Sequence, residues 1–356
     1  MSIIRRDFLK LMGAGGAAAT FPLDMSFGAG FPSRPITQVI STSLGGGVDT
    51  VGRNLEPLME KYLGGATVNS INKTGGTSSI ATKYVFSQPS DGYTWLACPG
   101  FDRGLRILNL DNTVAYKDWQ YYGCDTSYMS IAVLPDSPIK SLEDLIAQGK
   151  KDPGKLRMAT NGPGGTWYLA ALLVERAGKG KYKLVPYKGG SPAMKSCLAG
   201  ETDVTCNGLH EQLPFIKAGK LRNLCVAVSA PLKIQGLTLR PITDVLPSLK
   251  AVTPIGGGFS LALKRNTDPA ILKQIAGAWM KSVNDPKFQA VEAKKPRFPD
   301  PVVGEAADRR AALWDCVASN LLVDAGLNKK SLKELDIPSI EEFDKWWPPK
   351  GYKPAI

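Results

Sequence analysis

One histidine, six cysteines and four glycine-bearing turns are the parts of this 356-residue chain whose types and spacing could do chemistry. His210 stands alone, so a histidine metal cluster is excluded and a Ser-His-Asp triad has one candidate base. It neighbours Glu211 in a stretch read as a loop, where a solvated or supporting imidazole is the simpler role. Cys98, Cys124, Cys197, Cys206, Cys225 and Cys316 follow no Cys-x-x-Cys spacing, so neither a metal site nor a cofactor is expected. Cys206 and Cys225 fall in β-like runs and are expected to be buried thiols, while a Cys98 to Cys124 pair stays open.

The glycine turns carry the stronger chemical signal. Leu44-Gly45-Gly46-Gly47, Asn72 to Gly76, Asn161-Gly162-Pro163-Gly164-Gly165 and Gly189-Gly190 each follow a β-rich run and open into a helical pattern. At such a junction the first N–H groups of the helix lack intrahelical acceptors and carry partial positive charge, which suits an anion. Any one of these is accounted for by an ordinary turn; four in one chain favour a shared, carboxylate-sized site. Gly45 to Asp49 lacks the Lys-Ser/Thr ending of a phosphate loop, and Gly45-x-Gly47-x-x-Thr50 misses the dinucleotide fingerprint at its last position, so nucleotide binding is rejected.

Elements of an α/β fold must position these turns. Pro35 to Thr42, Thr67 to Ile71, Leu156 to Thr160 and Tyr182 to Tyr187 read as strands. Val48, Val51, Leu55, Leu58, Met59 and Tyr62 recur at helical spacing after the first; helices are predicted over Thr77 to Gln88 and Thr166 to Ala177, with Ser191 and Pro192 as cap and first residue of a fourth. Strands alternating with helices predict parallel sheets with helices on both faces. The length asks for two lobes, and Pro135 to Pro138 and Pro254 to Gly258 mark boundaries: residues 31–132 with 256–356, and 133–255, joined by two crossings that permit hinge closure. Further helices are predicted over Pro269 to Asn284 and Glu305 to Ala325, followed by an Ile340 to Trp347 segment that ends at Pro348 and Pro349.

Composition narrows the setting. Forty-four Lys and Arg against 32 Asp and Glu give +12, yet no block of five cations occurs, which argues against a nucleic-acid arm. No apolar run approaches the ~20 residues of a bilayer-spanning helix. Residues 1–30 read as an export signal and linker: Arg5 and Arg6, then Phe8, Leu9 and Lys10, resemble the twin-arginine signal, and Ala17 to Ala19 suit cleavage. A periplasmic location and a monomer are expected.

A longer series of motifs resembles one family. Pro35-Ile36-Thr37, Gly45-Gly46-Gly47-Val48-Asp49-Thr50, Gly75-Gly76, Pro89-Ser90-Asp91-Gly92-Tyr93-Thr94, Leu134-Pro135-Asp136-Ser137-Pro138, Ser141-Leu142-Glu143-Asp144-Leu145, Asp152-Pro153-Gly154-Lys155-Leu156, Val185-Pro186-Tyr187-Lys188-Gly189-Gly190 and Ala199-Gly200-Glu201-Thr202-Asp203 follow in order. They are similar to the Bug-type periplasmic receptors of tripartite tricarboxylate transporters. The resemblance implies a type II, Venus-flytrap binding-protein fold that captures an organic carboxylate between its lobes and delivers it to membrane permease subunits. It implies that Leu44 to Asp49 and Gly164 to Trp167 grip the carboxylate, partly through ordered water, with Thr166 supplying a hydroxyl. The expected ligand-binding set is Leu44, Gly45, Gly46, Asp49, Gly75, Gly76, Phe101, Gly164, Gly165, Thr166, Trp167, Gly189 and Asn207.

Three departures from the family pattern bear on specificity. Ser41 to Ser43 stand where prolines and an aromatic are usual, Trp167 and Tyr168 where smaller residues or His are common, and Cys206 and Asn207 where an acid is common. The last argues against a ligand ammonium and for a carboxylate with an apolar or aromatic body, or a dicarboxylate. Trp167 and Phe101 also have the simpler role of packing, and Asp49 that of a first-turn acid. A sensory subunit presenting ligand to a membrane kinase would share this site; an exported enzyme is the weaker alternative, for want of acid-base machinery.

Overall fold

A computed structural model describes residues 30–100, 104–251 and 253–356. The export signal expected over residues 1–30 therefore lies, but for Gly30, outside the described residues, as does Phe101.

The predicted strand-turn-helix units are all present. Strand β1 (Ile36–Ile40) leads into helix α1 (Gly47–Tyr62), and β2 (Val68–Asn72) leads through a short 3-10 turn into α2 (Ser79–Phe86). After β3 (Thr94–Cys98), the long β4 (Trp119–Val133) runs to α3 (Leu142–Lys151). Two more units follow, β5 (Arg157–Asn161) with α4 (Thr166–Gly178) and β6 (Lys183–Tyr187) with α5 (Gly190–Leu198). Then come β7 (Val204–Gly208), α6 (Leu209–Lys217), β8 (Arg222–Val226) and the hairpin β9 (Leu232–Ile234) with β10 (Leu237–Leu239). The chain ends with β11 (Gly256–Lys264), α7 (Pro269–Val283), α8 (Pro286–Glu292), β12 (Phe298–Val302) and α9 (Gly304–Asp324), then one helical turn at Phe343–Trp346.

Two local expectations are corrected. The second helix starts at Ser79 and not at Thr77, because Gly75, Gly76, Thr77 and Ser78 all have positive φ (117°, 54°, 53° and 78°) and cannot be part of a right-handed helix. The fourth helix is not capped by Ser191; its N-cap is Gly189, one residue before Gly190.

Strand pairing produces two sheet regions threaded by one strand. In the first, β1 pairs in parallel with β2 and β3, and β11 joins β3 and β4 antiparallel. In the second, β5 pairs in parallel with β6 and β7, and β4 joins β7 and β8 antiparallel. The parallel units expected from sequence thus form the outer parts, and the crossing strands add antiparallel pairs. Strand β4 changes partners between Tyr128, opposite Gly256, and Met129, opposite Gly208. The ring of Tyr128 stacks on Phe298 at 4.1 Å at this point.

Helices cover both faces, and their apolar stripes build separate cores. Val51, Leu55 and Met59 of α1 pack with Leu272, Ile275 and Trp279 of α7 on one face of the first sheet; Ala81, Val85, Ala307 and Ala311 cover the other. In the second unit Leu142 and Leu145 of α3 and Ala170 and Val174 of α4 enclose Met158 and Cys206. Helix α9 reaches both: its later residues Ala318, Leu321 and Leu322 pack on Leu169 and Leu172 of α4, and Asp324 pairs with Arg176. Burying each such aliphatic side chain contributes about 1.5–3 kcal/mol. All six cysteines are buried and none is in a disulfide, so no Cys98 to Cys124 bond forms.

Candidate ligand cleft

Helix caps divide the molecule into two kinds of junction. Helices α3, α7 and α8 begin with side-chain caps, Ser141, Asp268 and Asp285, whose oxygens accept from the first-turn N–H groups. Helices α1, α4, α5 and α6 instead begin after Gly46, Gly165, Gly189 and Gly208, and none of these four caps offers a side-chain oxygen. Across the gap between the two sheet regions, a Cβ on Gly47 at the start of α1 would meet His210 of α6, and one on Gly208 before α6 would meet Trp167 of α4.

Contacts between loops of the two units close this gap. The Ser43 hydroxyl donates to the Lys188 carbonyl at 2.8 Å, and the Thr77 hydroxyl donates to the Pro163 carbonyl at 2.7 Å. The left-handed conformations of Thr77 and Ser78 place the Thr77 hydroxyl, at a cost of about 1–2 kcal/mol per non-glycine residue. Ser78 in turn bonds Ser41 at 3.1 Å.

The start of α1 has the densest set of ligand-suited groups. A Cβ on Gly47 would lie 2.5 Å from His210 Nε2 and 2.6 Å from Arg297 Nη2, so only glycine lets these two groups approach the helix end. Two enclosed polar atoms here have no hydrogen-bond partner, His210 Nε2 and Thr42 Oγ1. Such atoms cost stability unless something pairs with them. Arg297 is itself buried, and Asp125 holds it through a 2.5 Å contact while accepting from Phe259 N. Charge pairing of this kind fixes a guanidinium where a second anion can meet it.

His210 is not in a loop, as expected from sequence, but in the first turn of α6. Its Nδ1 lies 2.6 Å from Ser127 Oγ. Burial, then the charges of Arg297 and Lys295, hold its pKa well below the ordinary histidine value, so the ring is neutral. Glu211 beside it points at the start of α5: a Cβ on Gly190 would collide with its carboxyl. Burial pushes the Glu211 pKa up to about 7, against hydrogen bonds from Asn207 and Gly208 and the charge of Arg297. The Glu211 carboxyl therefore serves the starts of α5 and α6, while at the start of α4 the Asn161 side-chain oxygen accepts from Tyr168 N at 3.0 Å and no side chain caps the start of α1.

The residues singled out from sequence divide accordingly. Gly45, Gly46, Gly164, Gly165 and Thr166 line the starts of α1 and α4, with Thr166 buried against Gly257. Leu44 projects outward, 76% exposed. Asp49 accepts from Gly45 N, Arg53 and Asn72, so its carboxylate braces the loop. Gly75 and Gly76 shape the turn that presents Thr77, and Gly189 caps α5. Asn207 is wholly buried, donating to Glu211 and to the Gly190 carbonyl, so it orients neighbours. Trp167 is 7% exposed within the core of the second unit, which matches its packing role. Sequence reasoning missed Arg297, Asp125 and Glu211. The acid absent from the end of β7 is supplied four residues beyond Asn207, from α6.

The architecture is that of a two-lobed periplasmic binding protein. The solved periplasmic binding protein BugD is similar with a TM-score of 0.73 and 23% identity, covering 84% of this chain and 100% of that one. A Rhodopseudomonas palustris protein, MatC, solved with bound malate, has a TM-score of 0.68 and 20% identity over 81% of this chain and 100% of its own. Another from R. palustris, Rpa4515 with adipate, has a TM-score of 0.73 and 20% identity over 83% and 98%. Residues 51–313 match the tripartite tricarboxylate transporter family receptor, and the chain belongs to that family. Among relatives, the UPF0065 protein in gbd 5'region of Cupriavidus necator is 28% identical over 305 residues, 82% of this chain and 88% of that protein. BugT of Bordetella pertussis is 27% identical over 209 residues, 56% and 62% of the two chains.

Proposed function

We propose that this receptor captures an organic carboxylate, in the periplasm after twin-arginine export, and hands it to a membrane permease. The carboxylate sits between the starts of α1 and α4, within reach of Arg297 and the Thr166 hydroxyl. What supports this is the glycine-led start of α1 beside the unpartnered His210 Nε2 and Thr42 Oγ1, one of four helices that begin after a glycine. Donors of this kind favour negative charge and tolerate varied ligand tails. With Trp167 in the core, a short dicarboxylate of the malate or adipate kind fits better than an aromatic acid.

The lobes in this proposal meet at the Tyr128 to Met129 switch of β4, slightly before the boundary at 132/133 expected from sequence. Closure brings the Ser43 and Thr77 loops onto Lys188 and Pro163. A thermal-shift panel of mono- and dicarboxylates with their methyl esters tests the function. Binding at a hundredfold excess over Kd stabilises by about 2.7 kcal/mol. Acids are expected to raise the unfolding temperature and esters not; equal shifts would sink the carboxylate anchor.

A further inference from the structure

Beyond the cleft, a cavity of about 240 Å³ opens on the seam between α6 and the turn that leads into β12. His210 and Lys217 from α6 and Gln235 from the β9–β10 hairpin line one side; Lys294 and Lys295 line the other. None of its lining residues is acidic. Asp125 and Glu292, whose charges also reach Lys295, pair with Arg297. Gln235 stitches the seam, donating to the Lys294 carbonyl at 2.8 Å and accepting from Lys217 at 3.3 Å. Burial pulls the Lys295 ammonium below its ordinary pKa, a cost that an anion beside it would offset. Three ammonium groups contributed by both units, with no carboxylate among them, form a positive concavity that concentrates anions.

We propose that this seam cavity is a second oxyanion site, which takes a phosphate or a carboxylate group across the two units and thereby holds them together. Lys217 belongs to one unit and Lys294 and Lys295 to the other, so an anion in the cavity would be met from both sides of the seam. His210 stands between this site and the cleft, one edge in the cavity lining and Nε2 at Gly47. The inference does not depend on what the cleft binds.

The test titrates inorganic phosphate, and separately succinate, into the full chain at constant ionic strength by calorimetry. The substitutions compared are Lys294→Gln with Lys295→Gln, Lys150→Gln as an exposed control on α3, and Thr166→Ala in the cleft. Phosphate affinity is expected to fall at least tenfold in the double variant and to stay within twofold in the other two. Loss of succinate affinity in the double variant, with no phosphate binding, would identify the oxyanion as the second carboxylate of a ligand and still place it here. Phosphate and succinate both unaffected by the double variant, or both weakened as much by Lys150→Gln, would overturn the site. Weakening of phosphate binding by Thr166→Ala, with the double variant unchanged, would assign phosphate to the cleft and overturn the site equally.

Discussion

Replacing Glu211 by Gln isolates the buried carboxyl that serves the starts of α5 and α6. Its folded pKa of about 7 exceeds the ordinary 4.5, so between those values the folded chain keeps a proton that the unfolded chain releases. Stability then falls as pH rises through this window. A gap of about 2.5 pH units at roughly 1.4 kcal/mol each amounts to about 3 kcal/mol as an upper figure. His210 acts with the opposite sign, because its folded pKa is depressed: its contribution is lost as pH falls below 6.5. The two slopes oppose each other below pH 6.5, so this pair should change the wild type less there than Glu211 alone would. In Glu211→Gln the His210 slope is unmasked, and stability should climb toward pH 6.5. Urea unfolding at pH 4.5, 5.5, 6.5 and 7.5 reads both curves. The wild-type minus variant difference should drop by about 3 kcal/mol across the window; parallel curves would refute the burial of an acid at this position.

Gly47→Ala should weaken ligand binding and leave the lobes apart, since its Cβ would meet His210 and Arg297 within 2.6 Å; small-angle scattering should show no ligand-induced compaction, unlike the wild type. Thr166→Ala should cost about 1.5–3 kcal/mol of carboxylate affinity with the fold intact, and unchanged calorimetry would reduce it to a packing residue. Trp167→Ala should destabilise the chain by about 3–5 kcal/mol and weaken aromatic and aliphatic ligands alike; a loss confined to aromatic acids would return the ring to the cleft. A thiol reagent should find no reactive cysteine in the native chain and six after denaturation, given that burial raises the thiol pKa of Cys124, Cys197, Cys206, Cys225 and Cys316.

The repeated units were legible because their signals are local. A β-branched run, a glycine turn and a helical stripe lie within one short segment, as in Ile36 to Tyr62, and each part constrains its neighbours. The starts of α1 and α4 could be named for the same reason. Arg297 and Asp125 could not, because their meeting depends on β12 pairing with β4 across 172 residues, and neither position has a periodicity or a motif of its own. Glu211 was visible only as a neighbour of His210; that both open a helix follows from Gly208 acting as cap, a role glycine shares with ordinary turns. Ser78 and Thr77 misled in the other direction, since residues that usually continue into a helix here take left-handed conformations to reach the opposite lobe.

Anion binding at the glycine-led starts of α1 and α4 is read out by amide chemical-shift mapping with a dicarboxylate such as malate. The largest shifts are expected at Gly47, Val48 and Asp49 and at Gly165, Thr166 and Trp167, together with the Arg297 side chain. Saturable binding that leaves those amides unmoved, while others shift, would contradict it.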